Sequence, residues 1–326
     1  MSVRKVGVRG IGAYTPPKVV TNFDLEKIVE TSDEWIFTRT GIRERRIAEP
    51  DMATSDLSYM ASKIALDSAN LTPGDLDLII VATVTPDMFF PATACILQDK
   101  LGATCPGFDL SAGCSGLIYA LSVGAQFIAN GMYDNILVVG GETLSKIIDW
   151  QDRSTCVLFG DAASAVILGP VDTGGFRSFV LGADGGGGKL LELPAGGSRL
   201  PASYETISQR LHFIKMNGRD VFKFAVRVME EASLEAIDKA GLTLKDIDLF
   251  IPHQANIRII ESAAERLNVP KDKFFVNLDR YGNTSSASVG LALYEAFLEG
   301  KIQKGSKILM VGFGAGLTWG ACVLEW

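Results

Sequence analysis

The fold is decided by two stretches of sequence, ASKIALDSANLTPGDLDLII at residues 61–80 and ASLEAIDKAGLTLKDIDLFI at residues 232–251. They lie 171 positions apart, align without a gap and share eleven of their twenty residues. A second pair of segments, ILVVGG at 136–141 and ILMVGF at 308–313, is offset by 172 positions. Because the two offsets nearly coincide, the sequence predicts a duplicated unit.

Each copy of this unit reads as helix, turn and strand. Ala and Leu or Ile recur at helical spacing, LTPGD or LTLKD breaks the helix, and an apolar run of strand length follows. Helices that alternate with buried strands predict parallel sheets covered by helices. We expect an N-terminal half at 1–171, a C-terminal half at 172–326, and a ligand site where the carboxyl ends of their strands meet.

Composition and charge exclude several classes of protein. The chain has 31 Lys and Arg against 38 Asp and Glu, a net charge of −7, which argues against bulk binding of nucleic acid or anionic membrane. Two histidines, and five cysteines without CxxC spacing, give no zinc-site pattern. The uncharged stretch 110–133 could span a bilayer, but its serines and glycines favour a helix buried in a core. With no signal-peptide pattern, we expect a cytoplasmic protein with reduced thiols.

The glycine-rich segments do not match phosphate-binding loops. In GADGGGGKLL, Leu190 follows Lys189 where a P-loop needs Ser or Thr. GIGAYT and GFGAGL lack the last glycine of GxGxxG. We therefore reject nucleotide binding through either motif.

Cys114 is the strongest candidate for chemistry. It lies in FDLSAGCSGLIYALSVG, where a short strand ends, a turn of small residues follows and a long apolar helix begins. A helix N-terminus stabilises a thiolate, the nucleophilic form, so we expect Cys114 to be ionised and accessible. A buried small apolar residue is the alternative, and it is our interpretation of Cys95, Cys156 and Cys322.

His253 and Asn283 are the candidates from the second half. His253 follows the strand DLFI, within IPHQAN, at the strand end where the site is expected. A hydrogen-bonded core histidine is an equal alternative. Asn283, in DRYGNTSSAS, fits a turn or cap residue when taken alone. His212 has no comparable setting, and we interpret it as structural or surface.

These motifs together resemble the β-ketoacyl-acyl-carrier-protein synthase III family, the condensing enzymes that initiate bacterial fatty acid synthesis. The resemblance runs essentially end to end and includes TSDEWIFTRTGIRERR, FDLSAGCSGLIYAL, DRSTCVLFGDAASAV, IPHQANIRII, LDRYGNTSSAS and GFGAGLTWG. It implies an α/β thiolase-like fold, with duplicated halves related by a pseudo-two-fold and layered αβαβα. The sequence departs from the family pattern at Gly113, Ala162, Ser164 and Ala315.

The resemblance implies a catalytic triad of Cys114, His253 and Asn283. An acyl-CoA primer, acetyl-CoA in the first instance, would acylate Cys114 and release CoA. His253 and Asn283 would hydrogen-bond the malonyl thioester carbonyl as CO₂ leaves, and the carbanion would attack the acyl group. Backbone N–H groups of Cys114, Ala315 and Gly316 would form the oxyanion hole. We expect no metal and no permanently bound cofactor.

Other positions carry over from the family. The residues expected to bind CoA are Trp35, Arg39, Arg153, Phe222 and Ala225. The residues expected to dock an acidic acyl carrier protein are Lys223, Gln254, Arg258 and Arg266. Phe90 resembles a residue that a partner subunit places at the acyl pocket, which implies a homodimer. For each basic residue, a solvated helix face is the alternative.

Two other functions stay open on the sequence alone. One is a starter condensing enzyme of polyketide or quinolone synthesis on the same fold. The other is a catalytically silent scaffold, against which the intact Cys, His and Asn set speaks. Elongating ketosynthases use a second catalytic histidine, and thiolases use a cysteine in the C-terminal glycine motif; His212 is poorly placed for the first role, and GFGAG contains no cysteine.

Overall fold

The computed structural model describes residues 3–326. The strands are β1 (Val6–Tyr14), β2 (Val19–Thr21), β3 (Glu44–Arg46), β4 (Leu78–Ala82), β5 (Gly107–Leu110), β6 (Ile136–Glu142), β7 (Ala162–Pro170), β8 (Gly175–Ala183), β9 (Leu191–Glu192), β10 (Lys215–Met216), β11 (Leu249–Pro252), β12 (Lys307–Gly314) and β13 (Thr318–Glu325). The α-helices are α1 (Asn22–Leu25), α2 (Asp33–Thr40), α3 (Thr54–Ala69), α4 (Thr93–Leu101), α5 (Gly116–Ala129), α6 (Tyr204–Ser208), α7 (Gly218–Lys239), α8 (Ile257–Leu267), α9 (Leu278–Tyr281) and α10 (Ser288–Leu298).

Two sheets of matching topology form the centre of the protein. The first has five strands in the order β1-β7-β6-β4-β5, and the second has four in the order β8-β13-β12-β11. Thus β4, β6, β7 and β1 occupy the places that β11, β12, β13 and β8 take in the second sheet. The duplication seen in the sequence is therefore present in the structure. The boundary between residues 171 and 172 stays a prediction.

The strands are only partly parallel, so the prediction of parallel sheets is wrong for two of the four strand pairs in the first sheet and for two of the three in the second. The parallel pairs are β4 with β5 and β6, and β11 with β12. The antiparallel pairs are β1 with β7, β6 with β7, β12 with β13, and β13 with β8. No α-helix lies between β6 and β7 or between β12 and β13. Without a crossover helix, the chain returns antiparallel to the strand it has just left.

The helices form three layers around the two sheets. Helices α5 and α10 lie between the sheets, where Leu117 and Val289 share a core with Ile80 of the first sheet and Met310 of the second. Helix α3 covers the outer face of the first sheet, and α7 and α8 cover that of the second. The uncharged stretch predicted to be a core helix is mostly α5, and its prediction is confirmed. Over residues 3–326, no helix combines the length and apolarity that crossing a membrane requires.

Glycines allow the two halves to meet closely. A Cβ on Gly140 of β6 would lie 2.4 Å from the Ser286 carbonyl oxygen, and one on Gly312 of β12 would lie 3.3 Å from the Cys114 carbonyl oxygen. The turn before α10 is therefore seated on a strand of the first sheet, and the turn before α5 on a strand of the second. These two turns carry the candidate site.

Candidate active site

Cys114 lies in a 3-10 turn, Gly113–Ser115, between β5 and α5. Gly113 has a φ of 54°, which glycine adopts without strain, and a Cβ there would lie 2.8 Å from the Ala315 nitrogen. A Cβ on Gly314 would lie 2.4 Å from the Cys114 nitrogen. The small residues at these positions let the turn after β12 lie directly against the backbone of Cys114.

The Cys114 thiol is buried, with 8% of the residue exposed. Burial raises its pKa to about 12, and the polar Ser285 hydroxyl nearby acts in the opposite direction. The prediction of an ionised resting thiolate is therefore wrong. Removal of water from the sulfur outweighs its place at a helix N-terminus, and the resting residue is a neutral thiol.

Two cavities meet at Cys114. The larger, of about 490 Å³, is lined by Cys114, His253 and Asn283, and also by Trp35 and Phe222. The smaller, of about 210 Å³, is lined by Cys114, Ser285 and Ala315, together with the apolar side chains of Val84, Leu144, Ile147, Phe159, Leu191, Leu193 and Ile214. The structure thus brings the three predicted catalytic residues to one cavity, with an apolar pocket beside the sulfur.

His253 follows β11 directly, and its backbone N–H donates to the Val311 carbonyl at 2.7 Å. The ring is buried, and its Nδ1 lies 2.6 Å from the Ser288 hydroxyl oxygen. Burial lowers the pKa of His253 to about 3, because the imidazolium would be desolvated. The ring is therefore neutral at physiological pH, able to accept at one nitrogen and donate at the other.

Asn283 stabilises a turn and also lines the larger cavity. Its Oδ1 accepts the Ser285 N–H at 2.8 Å, and its backbone is bonded to Leu158 and Gly160. These contacts fix the carboxamide in a buried position at the cavity wall. The Nδ2 group, which bonds no residue within 3–326, is the polar atom free to donate.

The predicted CoA residues are only partly brought together. Trp35, Arg39 and Phe222 line the larger cavity. The Arg39 guanidinium carbon lies 4.5 Å from the Trp35 ring centroid, and that of Arg153 lies 5.5 Å from it. Ala225 is fully buried in the core and does not line the cavity. Ala225 lies only about 60° around α7 from Phe222, but its short side chain packs in the core, whereas the longer Phe222 side chain reaches the cavity.

The predicted docking residues have different surroundings. Lys223 and Arg258 line the larger cavity, and the exposed Arg266 is paired with Glu230 at 2.9 Å. Gln254 is 1% exposed; its amide donates to the carbonyls of Pro252 and Phe275, and its Oε1 accepts the Asn277 N–H. The prediction that Gln254 contacts a carrier protein is therefore wrong, because these bonds hold it inside the loop after β11.

Three further predictions concern residues away from the cavities. Phe90 is 85% exposed and lines neither cavity of its own chain. Cys156 and Cys322 are buried as predicted, whereas Cys95 is exposed on α4, so its interpretation as a core residue is wrong. The His212 ring has a buried Nδ1 without a partner in residues 3–326 and lies outside both cavities.

Sequence reasoning missed Glu142, Ser285 and Ser288. Glu142 is fully buried at the end of β6 and accepts hydrogen bonds from Thr85 at 2.6 Å and from Ser285 at 3.1 Å. The signal that could have found it is its position directly after ILVVGG, at the strand end where the site was expected. In the part of the chain described, no three His, Cys, Asp or Glu side chains gather in a way that could hold a metal.

Comparison with known proteins gives a consistent result. A family model described as 3-oxoacyl-[acyl-carrier-protein (ACP)] synthase III matches residues 108–185, and a model of its C-terminal part matches residues 237–326. A β-ketoacyl-[acyl-carrier-protein] synthase III from Caldanaerobacter subterraneus subsp. tengcongensis is 61% identical over 322 residues, which cover 98% of this chain and 97% of that protein. The chain belongs to the β-ketoacyl-acyl-carrier-protein synthase III family.

Solved structures of similar proteins share the whole fold. The Thermus thermophilus β-ketoacyl-[acyl carrier protein] synthase III superposes with a TM-score of 0.93 at 52% identity, covering 98% of this chain and 99% of that one. The priming β-ketosynthase of the R1128 polyketide pathway superposes with a TM-score of 0.92 at 38% identity, covering 99% and 97%. The predicted thiolase-like fold is confirmed, and the enzyme is an acyltransferase, the initiating condensing enzyme of fatty acid synthesis.

Proposed function

We propose that the enzyme condenses an acyl-CoA primer, acetyl-CoA in the first instance, with malonyl-acyl-carrier protein. The products are 3-oxoacyl-carrier protein, CoA and CO₂. The observation that carries this proposal is that Cys114, His253 and Asn283 line one cavity, with the thiol from the first half and both hydrogen-bond donors from the second. The apolar pocket on the other side of Cys114 has room for a short acyl chain.

The first step transfers the acyl group to Cys114. The sulfur attacks the thioester carbonyl, the bond from that carbonyl to the CoA sulfur breaks, and CoA leaves with the proton that Cys114 gives up. The backbone N–H of Cys114, with the turn at Ala315 and Gly316, would stabilise the oxyanion of the tetrahedral intermediate. The apolar pocket then holds the acyl chain.

The second step uses His253 and Asn283. With the Ser288 hydroxyl donating to Nδ1 of His253, the hydrogen of the neutral ring resides on Nε2. That N–H and the Asn283 Nδ2 group donate to the malonyl thioester carbonyl, where negative charge develops as CO₂ leaves. The carbanion attacks the acyl carbonyl, a carbon–carbon bond forms, and Cys114 is released and reprotonated.

The residues around the larger cavity would bind the two substrates. Trp35 with Arg39 and Arg153 would hold the CoA adenine through stacking and cation–π contacts. Lys223 and Arg258 would attract the acidic carrier protein, where charge sets orientation and association rate. Arg266, as the outer member of this basic surface, is already paired with Glu230.

The proposal also covers the oligomeric state of the enzyme and its location in the cell. Phe90, exposed on its loop, would reach the acyl pocket of a partner subunit in a homodimer. We place the enzyme in the cytoplasm, working without a permanently bound cofactor, with 1–171 and 172–326 as its two halves. The comparisons favour fatty acid synthesis over a polyketide or quinolone starter enzyme, since relatives at 61% and 56% identity are named β-ketoacyl-[acyl-carrier-protein] synthase III, whereas the polyketide priming ketosynthase is 38% identical.

The test is mass spectrometry of the intact protein after mixing with a panel of acyl-CoAs, followed by peptide mapping of the adduct. We expect one acyl group on Cys114 and none in Cys114→Ser. His253→Ala should still be acylated but should not release CO₂ from malonyl-carrier protein. Full condensation by both variants would refute the assigned roles.

A further inference from the structure

The turns before α5 and α10 are equivalent in the two halves, and each begins with a residue in the left-handed conformation. Gly113 opens the first turn with a φ of 54°, and Ser285, 172 positions later, opens the second with a φ of 48°. Glycine adopts this φ freely, whereas a serine there is strained. The second copy thus keeps a side chain where the first has none.

The Ser285 side chain lies between two titratable groups. Its hydroxyl is 3.1 Å from Oε1 of Glu142, and on its other side Ser285 adjoins the pocket that holds the Cys114 sulfur. Ser285 and Cys114 line the same apolar pocket. One hydroxyl carries one proton, so at any moment it donates either to the carboxyl group or to the sulfur.

The hydrogen bonds around Glu142 indicate where its own proton lies. The Ser286 hydroxyl oxygen is 2.8 Å from Oε1 of Glu142 and 2.9 Å from the Ala82 carbonyl oxygen. Its single proton can serve only one of these acceptors. If Glu142 is protonated on Oε1, it donates to Ser286 and Ser286 donates to Ala82, so both contacts are hydrogen bonds.

No charge in the surroundings favours the ionised carboxylate. Within residues 3–326, Glu142 bonds only hydroxyls and one backbone N–H, those of Thr83, Val84, Thr85, Ser285 and Ser286, and no Lys, Arg or His. Burial raises the pKa of Glu142. The titratable group that faces it is Cys114, which shares the larger cavity with His253.

We propose that Glu142 is a positioning residue for Cys114 that acts through Ser285. Its protonated carboxyl leaves the Ser285 hydroxyl free to donate to the sulfur as the thiolate forms. An ionised carboxylate would take that hydrogen bond and place a second negative charge beside the sulfur. The inference rests on the proposed role of Cys114 as the nucleophile.

The experiment is the pH dependence of Cys114 alkylation by iodoacetamide, quantified on the Cys114 peptide so that the exposed Cys95 does not contribute. Ser285→Ala should raise the midpoint by about one pH unit, a roughly tenfold loss of reactivity at neutral pH, because the thiolate loses a donor. Glu142→Gln should lower the midpoint by about half a unit or more, because no carboxylate can form beside the thiolate. A merely structural role would move both midpoints in the same direction.

Ser145→Ala is the matched control. Ser145 donates to Asp161, another buried carboxyl, and has no contact with Cys114, so its loss should shift the midpoint by less than about 0.2 unit. Shifts of Ser285→Ala and Glu142→Gln in the same direction, or no shift in either, would overturn the proposal. An acyl adduct mapped away from Cys114 would instead refute the proposed function itself.

A second measurement needs no variant. The infrared spectrum of the wild-type enzyme at neutral pH should contain the carbonyl stretch of a buried protonated carboxyl. Labelling glutamate alone with ¹³C should shift that band, which separates Glu142 from Asp161, whose pKa is also raised by burial. Absence of a glutamate band would contradict the proposal.

Discussion

Nδ1 of His253 lies 2.6 Å from the hydroxyl oxygen of Ser288, a residue 35 positions further along the chain. Ser288 is the first residue of α10. The helix that follows the Asn283 turn therefore also contacts the His253 imidazole. In the proposed reaction the hydroxyl donates to Nδ1, which fixes the ring tautomer and leaves the hydrogen on Nε2. We therefore expect the proposed decarboxylation step to depend on Ser288, a serine that lines neither cavity.

Ser288→Ala should lower decarboxylation about tenfold, because the imidazole loses the bond that fixes its tautomer and orientation. Acylation of Cys114 should continue, since it does not use His253. CO₂ release from malonyl-carrier protein and acylation by intact mass measure the two steps separately. Ser288→Thr keeps the hydroxyl and should restore the rate; equal loss in both variants would contradict the role.

Because His253 is neutral, a second prediction concerns how the decarboxylation rate depends on pH. Its pKa is lowered to about 3, so protonation, which would remove the acceptor at Nδ1, begins well below pH 5. The decarboxylation rate of preformed acyl-enzyme should therefore be flat between pH 8 and about pH 5. A histidine with an ordinary pKa near 6.5 would instead give an acid limb within that window. Starting from acyl-enzyme keeps the titration of the thiol out of the measurement.

Much of this site could be predicted from the repeat and the strand ends, which place Cys114 and His253 at the junction of the two halves. The charge state of Cys114 could not, because it depends on burial by the other half. Nor could the inward orientation of Gln254, which is set by carbonyls of Pro252 and Phe275. Antiparallel strands were missed because periodicity indicates burial but not strand direction.

Gly314 provides a third prediction. A Cβ there would lie 2.4 Å from the Cys114 nitrogen, a backbone atom that cannot move aside cheaply. Gly314→Ala should displace the turn that carries the sulfur, destabilise the protein by about 1–3 kcal/mol and slow acylation at least tenfold. Thermal melting and the acylation rate would show this. The control is Gly197→Ala, since a Cβ at Gly197 meets nothing within 4 Å; equal effects would contradict the steric argument.

Arg258 and Arg266 allow a fourth prediction about the carrier protein. Arg258 lines the cavity and forms no ion pair within residues 3–326, whereas Arg266 is paired with Glu230. Arg258→Glu should raise the KM for malonyl-carrier protein about tenfold, and added salt should shrink the difference from wild type. Arg266→Glu should have a smaller effect. Effects of equal size, or an effect insensitive to salt, would argue against docking by Arg258.

The two cavities that meet at Cys114 have a kinetic consequence. His253 and Asn283 line the larger cavity and not the smaller one, so in the proposed reaction the malonyl thioester would be positioned in the space that the coenzyme first occupies. The first product has to depart before the second substrate can enter. Turnover should then follow a double-displacement order, with parallel lines in double-reciprocal plots and free coenzyme competing against the malonyl donor.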